Sequence, residues 1–422
     1  MAPIRNRAGT GRRLAVAVAA GILTASGTVP ALPASHAAAD TGQCTFGGKK
    51  YAGRPWALQR VNLDELWETA TGKGVRVAVI DTGVDAGHPQ LKEAVDAGAG
   101  ANVLPAKDKD GKPVEDRGNK HGTTDTVGHG TRVAGLIAAR KDKGTGFVGL
   151  ARDARIIPVK QNNAQGVGTA QSLATAIDHA VRERADVINI SQDTADAAKP
   201  EEKLRAAVDN ALAHNVVVVA SAGNDGLDGT TKPTYPASFD GVLAVAASDR
   251  NNERAPFSQS GNQVDVAGPG VDMVSTVPRG GHCADNGTSF SAPYVAGVAA
   301  LLKEDHKEWT PRQIGAQIEQ TAERSVLGRD DRVGWGVVDP VAAVTEIPDP
   351  AHPLESPHPD KAMTGAAPPD LSPVPLGETP EERNTRLATY ILIGGLVTVA
   401  ALTGTAVAVR DGRRRRVERG GA

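Results

Sequence analysis

The chain has 422 residues, of which 23% are charged and 40% apolar, and a formal net charge of -2. That balance fits a soluble globular body carrying appendages, and it leaves no basic surplus of the kind that nucleic-acid binding needs. Only two cysteines, Cys44 and Cys283, are present, so one intramolecular pairing is open to them.

Residues 1–13 carry Arg5, Arg7, Arg12 and Arg13 without an acid, and an apolar stretch with small residues follows to Ala37. This reads as an export signal over 1–37, with cleavage near Ala37 and with Ala38 or Ala39 serving as well. Export places the two cysteines where a disulfide is favoured, although spacing alone does not establish one. Residues 38–59 form an N-terminal extension ahead of the body.

From there apolar strands and helices alternate. GVRVAVIDTG (74–83) is a strand ending at Asp81, and HGTRVAGLIAA (129–139) has helical spacing. A strand at 154–160, a helix at 169–185 and a strand at 186–191 follow. A helix at 200–215 and strands at 216–224 and 241–248 come next. Helices at 291–305 and 310–322 close the body, the second with Thr310 as cap and Pro311 at its first position. Near-continuous apolar strands separated by helices predict an α/β fold of three layers, a mainly parallel sheet between helices. In such sheets chemistry gathers at the C-terminal ends of strands, where Asp81 and Asn224 stand.

Residues 347–386 are Pro-rich and read as a semi-rigid, unpacked linker. LATYILIGGLVTVAALTGTAVAV (387–409) is 23 residues without a charge. As a helix it spans about 34 Å, enough for a bilayer. Residues 410–422 carry six arginines against two acids, which the positive-inside rule assigns to the cytoplasm, with everything before 387 outside.

Four residues carry the chemistry of amide hydrolysis, which needs a nucleophile, a base, a group that orients the base, and donors for an oxyanion. Ser289, in NGTSFSAPYVAG, precedes a helical run whose first turn has free backbone N–H groups. His129 lies between glycines in VGHGTRVAG, Asp81 ends a strand before Thr82-Gly83, and Asn224 ends SAGN. Taken singly, these are a helix cap, a structural histidine, a turn aspartate and a turn asparagine as readily as a site. Ser291 points about 200° away from Ser289 on a helix and cannot share its place. His121 falls in a polar loop and His214 at a helix end.

Together and in order, VAVIDTGVD, GHGTRVAG and NGTSFSAPYVAG closely resemble the subtilisin-like serine peptidases, and SAGN resembles their oxyanion-asparagine motif. The resemblance covers a peptidase domain over 60–346. It implies Asp81 as orienting acid, His129 as general base, Ser289 as nucleophile and Asn224 as oxyanion donor. Ser291 stands where relatives usually have Ala and looks like a packing position. No cofactor is implied, and no run has the ligand spacing of a calcium site.

Signal, short extension, body, Pro-rich stalk, single span and basic tail more narrowly resemble the mycosins, membrane-anchored subtilases associated with type VII secretion. That likeness implies extended polypeptide substrates, a lipid bilayer and secretion-machinery components as partners, with the catalytic domain extracellular. It further implies that the extension lies along the body and stays attached, where a Cys44–Cys283 bond would fasten it. The rival role is a non-catalytic structural component of a membrane secretion complex. One departure stands out. Secreted subtilisins usually show Ser-Leu-Gly after the strand at 186–191, whereas Ser191 is followed here by Gln192 and Asp193. An acidic rim there would favour basic substrate residues.

Overall fold

The computed structural model describes residues 44–107, 110–164, 166–191, 201–228, 232–347, 349–360 and 380–419. The export signal expected over 1–37 therefore lies outside the described residues.

Seven strands form one sheet: β1 (Arg76–Asp81), β2 (Ala101–Asn102), β3 (Arg155–Lys160), β4 (Val187–Ile190), β5 (Val217–Ser221), β6 (Leu243–Ser248) and β7 (Val266–Pro269). Their spatial order is β2-β3-β1-β4-β5-β6-β7, and every pairing is parallel. The sequence explains why. Val77, Ala78, Val79 and Ile80 are all fully buried, so β1 offers no wet face and must be covered on both sides.

The cover comes from helices α1 (Trp56–Gln59), α2 (Leu63–Thr69), α3 (His129–Ala138), α4 (Ala170–Arg182), α5 (Glu202–Ala213), α6 (Thr288–Asp305), α7 (Pro311–Gln320) and α8 (Pro340–Thr345). Val77 and Val79 pack into one cluster with Leu66, Val133, Ile137, Val298 and Ile314, from α2, α3, α6 and α7. Ala78 and Ile80 face the other way, onto Leu173 and Ile177 of α4 and Leu204 and Val208 of α5. The alternation of Cβ direction along a strand thus divides one apolar run between two cores. The expected cap of α7 is present, with the Thr310 side chain accepting from Gln313 N–H.

Helix α6 is the central one, buried continuously from Thr288 to Lys303. It begins three residues earlier than the apolar spacing indicates. Pro293 lies inside it and removes the helical bond to the Ser289 carbonyl, a defect that costs about 3 kcal/mol in a helix interior. Burying Phe290, Tyr294, Val295, Val298, Leu301 and Leu302 contributes about 1.5–3 kcal/mol each, so packing outweighs the defect. An antiparallel pair, β8 (Met273–Thr276) and β9 (His282–Asp285), stands apart from the main sheet and leads directly into α6.

The stalk differs from its expected state at its near end. Residues 350–358 are held to the body by hydrogen bonds. Trp309 Nε1 donates to the Pro350 carbonyl at 3.1 Å, Arg312 Nε to the Glu355 carbonyl at 2.9 Å, and Arg324 Nη1 to the His358 carbonyl at 2.8 Å. Proline removes a donor from this stretch but leaves its carbonyls, and side chains on and beside α7 supply the missing hydrogens. In a second unit, from Asp360 onward, α9 (Pro380–Arg419) contains the uncharged run 387–409 and is long and apolar enough to cross a membrane. It starts seven residues before that run and continues through the arginines beyond it.

Candidate active site

Asp81 is the last residue of β1 and has no exposed surface, while His129 is the first residue of α3. His129 Nδ1 lies 2.9 Å from Asp81 Oδ1 and 3.0 Å from Oδ2. Facing two carboxylate oxygens, Nδ1 must carry a hydrogen, which leaves Nε2 of the neutral ring as a proton acceptor. The Thr82 amide holds the same carboxylate at 2.7 Å. Burial alone would lower the pKa of His129, and Arg132 pushes the same way. The charge and hydrogen bond of Asp81 outweigh both and raise it above the ordinary 6.5.

Close approach of α3 to β1 depends on glycine. A Cβ on Gly130 would lie 2.2 Å from the Gly83 carbonyl oxygen and 3.0 Å from the Asp81 Cβ. Gly128, at φ +86°, makes the left-handed turn that starts the helix.

Behind this pair sits a second carboxylate. Asp125 accepts from Thr82 Oγ1 at 2.9 Å, from Gly128 N–H at 2.7 Å, and from the amide and hydroxyl of Thr131 at 2.9 and 2.7 Å. Desolvation pushes its pKa up, and these hydrogen bonds pull against that. Lys160, fully buried at the end of β3, donates to the Thr82 carbonyl at 2.5 Å. Burial pulls its pKa down, opposed by the charges of Asp125, Asp116 and Asp81. Sequence inspection passed over this group. Its one signal is an acid four residues ahead of His129.

Ser289 is the second residue of α6 and is only 9% exposed. The ring of its neighbour Phe290 lies 5.4 Å from the His129 ring, so the first turns of α3 and α6 abut. Asn224, three residues past β5, turns its oxygen toward the same turn. Asn224 Oδ1 accepts from Thr288 N–H at 2.9 Å and from Thr288 Oγ1 at 3.1 Å. With the oxygen fixed, Nδ2 is the side-chain atom directed away from Thr288, as an oxyanion donor requires. Thr288 is the functional neighbour that motif reading missed. Ser291 is fully buried, and its hydroxyl has no hydrogen-bond partner among the described residues. Gln192 and Asp193, the departure noted beside the specificity pocket, lie outside the described residues. His121 stays in its loop, and His214 Nδ1 sits 2.8 Å from the Asn210 carbonyl at the end of α5.

The N-terminal segment flanks the site. Cys44 and Cys283 form a disulfide with Cα atoms 5.7 Å apart. Gly47 N–H donates to Pro278 at 2.9 Å, and Phe46 lies so near Gly128 that a Cβ there would meet its ring at 2.7 Å. Tyr51 N–H donates to His282 Nδ1 at 3.0 Å while His282 Nε2 faces Gln90 Oε1 at 2.7 Å. Burial, His88 and Lys50 together push His282 down to about 4, so it is neutral at pH 7.

A buried carboxylate clamping an imidazole at the end of a parallel strand, with a serine in the first turn of a helix whose next residue packs near that imidazole, points to a class. The model of the subtilase family (peptidase S8) matches residues 72–336, and the chain belongs to that family of serine endopeptidases. Subtilisin E of Bacillus subtilis is 35% identical over 291 residues, covering 68% of this chain and 71% of its own length. The similar solved structures include mycosins. MycP1 with its N-terminal propeptide removed superposes with a TM-score of 0.60 at 36% identity, covering 70% of this chain and 98% of its own. MycP3, a protease from the type VII (ESX-3) secretion system, gives 0.61 at 31%, covering 71% and 90%.

Proposed function

We propose that this subtilase is a membrane-anchored extracellular endopeptidase that hydrolyses peptide bonds through an Asp81–His129–Ser289 triad and an acyl-enzyme. The observation that carries the reading is the grip of both Asp81 oxygens on His129 Nδ1, because it sets the tautomer a general base needs. Nε2 takes the Ser289 proton as the hydroxyl attacks the substrate carbonyl. The resulting oxyanion is met by Asn224 Nδ2 and by backbone N–H groups at the start of α6. The imidazolium, steadied by Asp81, then gives its proton to the leaving amine. Water repeats the sequence to release the acyl group.

The long apolar helix and the arginines beyond it support a single-pass anchor at 387–409 with the tail 410–422 in the cytoplasm. On this reading the signal 1–37 is removed, the extension 38–59 stays fastened to the peptidase domain 60–346, and 347–386 forms the linker. Likeness to MycP1 and MycP3 supports a place beside type VII secretion machinery. A fluorophosphonate probe tests the chemistry. It labels the wild-type chain and fails on Ser289→Ala; equal labelling of both would remove Ser289 from the mechanism. Protease shaving of intact cells tests the topology, since it should remove the body and spare the tail.

A further inference from the structure

We propose that Arg132 is a positioning residue, tying the disulfide-fastened N-terminal segment to the relative placement of His129 and Ser289. The proposal rests on the triad reading above. Arg132 stands one turn after His129 on α3 and is 9% exposed. Its Nε donates to the Gly128 carbonyl at 3.3 Å, just ahead of His129. Its Nη1 forms an ion pair with Asp285, the last residue of β9 and four residues ahead of Ser289. The same nitrogen lies 3.6 Å from the Cys44 sulfur. Its Cζ sits 5.1 Å from the centre of the Phe290 ring, which itself packs 5.4 Å from the His129 ring.

One guanidinium therefore touches the start of the base's helix, the strand that feeds the nucleophile, the residue after the nucleophile, and the sulfur that fastens the extension. The planar fork pairs with a carboxylate and a carbonyl while its face lies on a ring; an ammonium supplies one point charge. The pair with Asp285 is half in solvent, since that carboxylate is 42% exposed, so its worth lies in geometry more than in net stability.

Charge adds a second handle. The groups that face His129 are Asp81 from β1, Asp125 from the loop before α3, and Arg132 from α3 itself. Arg132 is the one cation among them, and it disfavours the imidazolium. Geometry and charge can be separated by substitution. R132K keeps the charge and loses the fork; R132L loses both.

The experiment is the rate of inactivation by a fluorophosphonate as a function of pH, for wild type, R132L, R132K and the C44A/C283A pair in both backgrounds. R132L should slow inactivation about tenfold or more, the scale of a sub-ångström misplacement of reacting groups. Its acid limb should move to higher pH, because the opposing cation is gone. R132K should be slowed with its acid limb near the wild-type position. The cysteine substitutions should slow the wild type more than they slow R132L, since the latter has already lost the link. A wild-type rate and profile in R132L, or slowing factors that simply multiply, would overturn the proposal. Histidine-selective NMR titration of His129 in wild type and R132L gives a readout without turnover. If the wild type does not label, the peptidase reading fails, while an unmoved imidazole titration separately defeats the Arg132 coupling. Should R132L not fold, Asp285→Asn removes the anchor from an exposed position and keeps the cation, so it should slow inactivation and weaken the effect of the cysteine substitutions with the acid limb near its wild-type place; an unchanged rate would overturn the proposal.

Discussion

Asn224→Ala and Asn224→Asp together separate oxyanion stabilisation from packing, because Thr288 holds the amide oxygen while the proposed oxyanion role falls to Nδ2. Its oxygen accepts from the Thr288 amide and hydroxyl, both on a residue with no exposed surface. Truncation strands those donors, at about 1–3 kcal/mol of stability. Loss of Nδ2 removes one oxyanion donor, which in subtilisin, the relative from which this magnitude is known, costs about 2.7–4 kcal/mol, or a hundred- to a thousandfold in kcat. Asn224→Asp divides the two effects, since a carboxylate keeps an acceptor for Thr288 and offers no donor. We expect Asn224→Ala to melt earlier and cleave slowly. Asn224→Asp should melt close to wild type and cleave at least as slowly. Steady-state hydrolysis of a chromogenic peptide anilide, with thermal melts alongside, reads both. KM should stay within a few-fold, because the donor acts on the transition state and not on the ground-state carbonyl. A wild-type kcat in Asn224→Asp, or a loss confined to KM, would refute the assignment.

Four further predictions follow from buried groups. The raised pKa of His129 places the acid limb of kcat/KM above 6.5; Asp81→Asn should move it below 6.5, where burial alone drives it, and lower kcat by about 10⁴. The stability sign runs opposite to activity: the Asp81–His129 contribution is fully present below pH 6.5 and fades as pH rises through the raised value, which melts across that window would detect. Ser291→Ala removes a buried hydroxyl lacking a partner among the described residues and should stabilise the fold by about 1 kcal/mol at unchanged activity; a lower melting point would contradict it. Gly130→Ala forces a Cβ against the Gly83 carbonyl, so it should cost about 1–3 kcal/mol in melts and at least tenfold in kcat.

The central strands were legible because they are apolar without alternation, and β1, β3, β4 and β6 fall within a residue or two of the runs that announced them, while β5 stops at Ser221, three residues before Asn224. β7 escaped notice because its four residues include Gly268 and Pro269, which carry no strand signature. β8 and β9 are short and only partly apolar, and their pairing is non-local. The motifs drew attention to Asp81, His129, Ser289 and Asn224, since each stands beside glycines or small residues, and the structure pairs Asp81 with His129 and Asn224 with Thr288. Thr288, Asp125, Lys160 and Arg132 were not legible as partners. Their meaning lies in contacts across 64 residues of chain for Thr288 with Asn224, and across separate elements for the others, and no local spacing encodes that. The hydrogen-bonded start of the stalk was obscured in the same way, because proline content reports what the backbone cannot donate and is silent on what its carbonyls can accept.

The disulfide-linked N-terminal segment has a structural part to play beside α6. Asp81 and His129 are held by the core of a seven-stranded sheet, which needs no outside help. Ser289 is reached by way of β9, and β8–β9 is a two-stranded ladder of the kind that is marginal by itself. The segment from Cys44 to Trp56 supplies the missing support along that ladder. The disulfide grips Cys283, His282 N–H donates to the Lys49 carbonyl at 3.1 Å, and Trp56 Nε1 donates to the Val271 carbonyl at 2.8 Å just before β8. Fastening the segment therefore braces the approach to Ser289, and on the proposal above Arg132 links that brace to α3, which begins at His129.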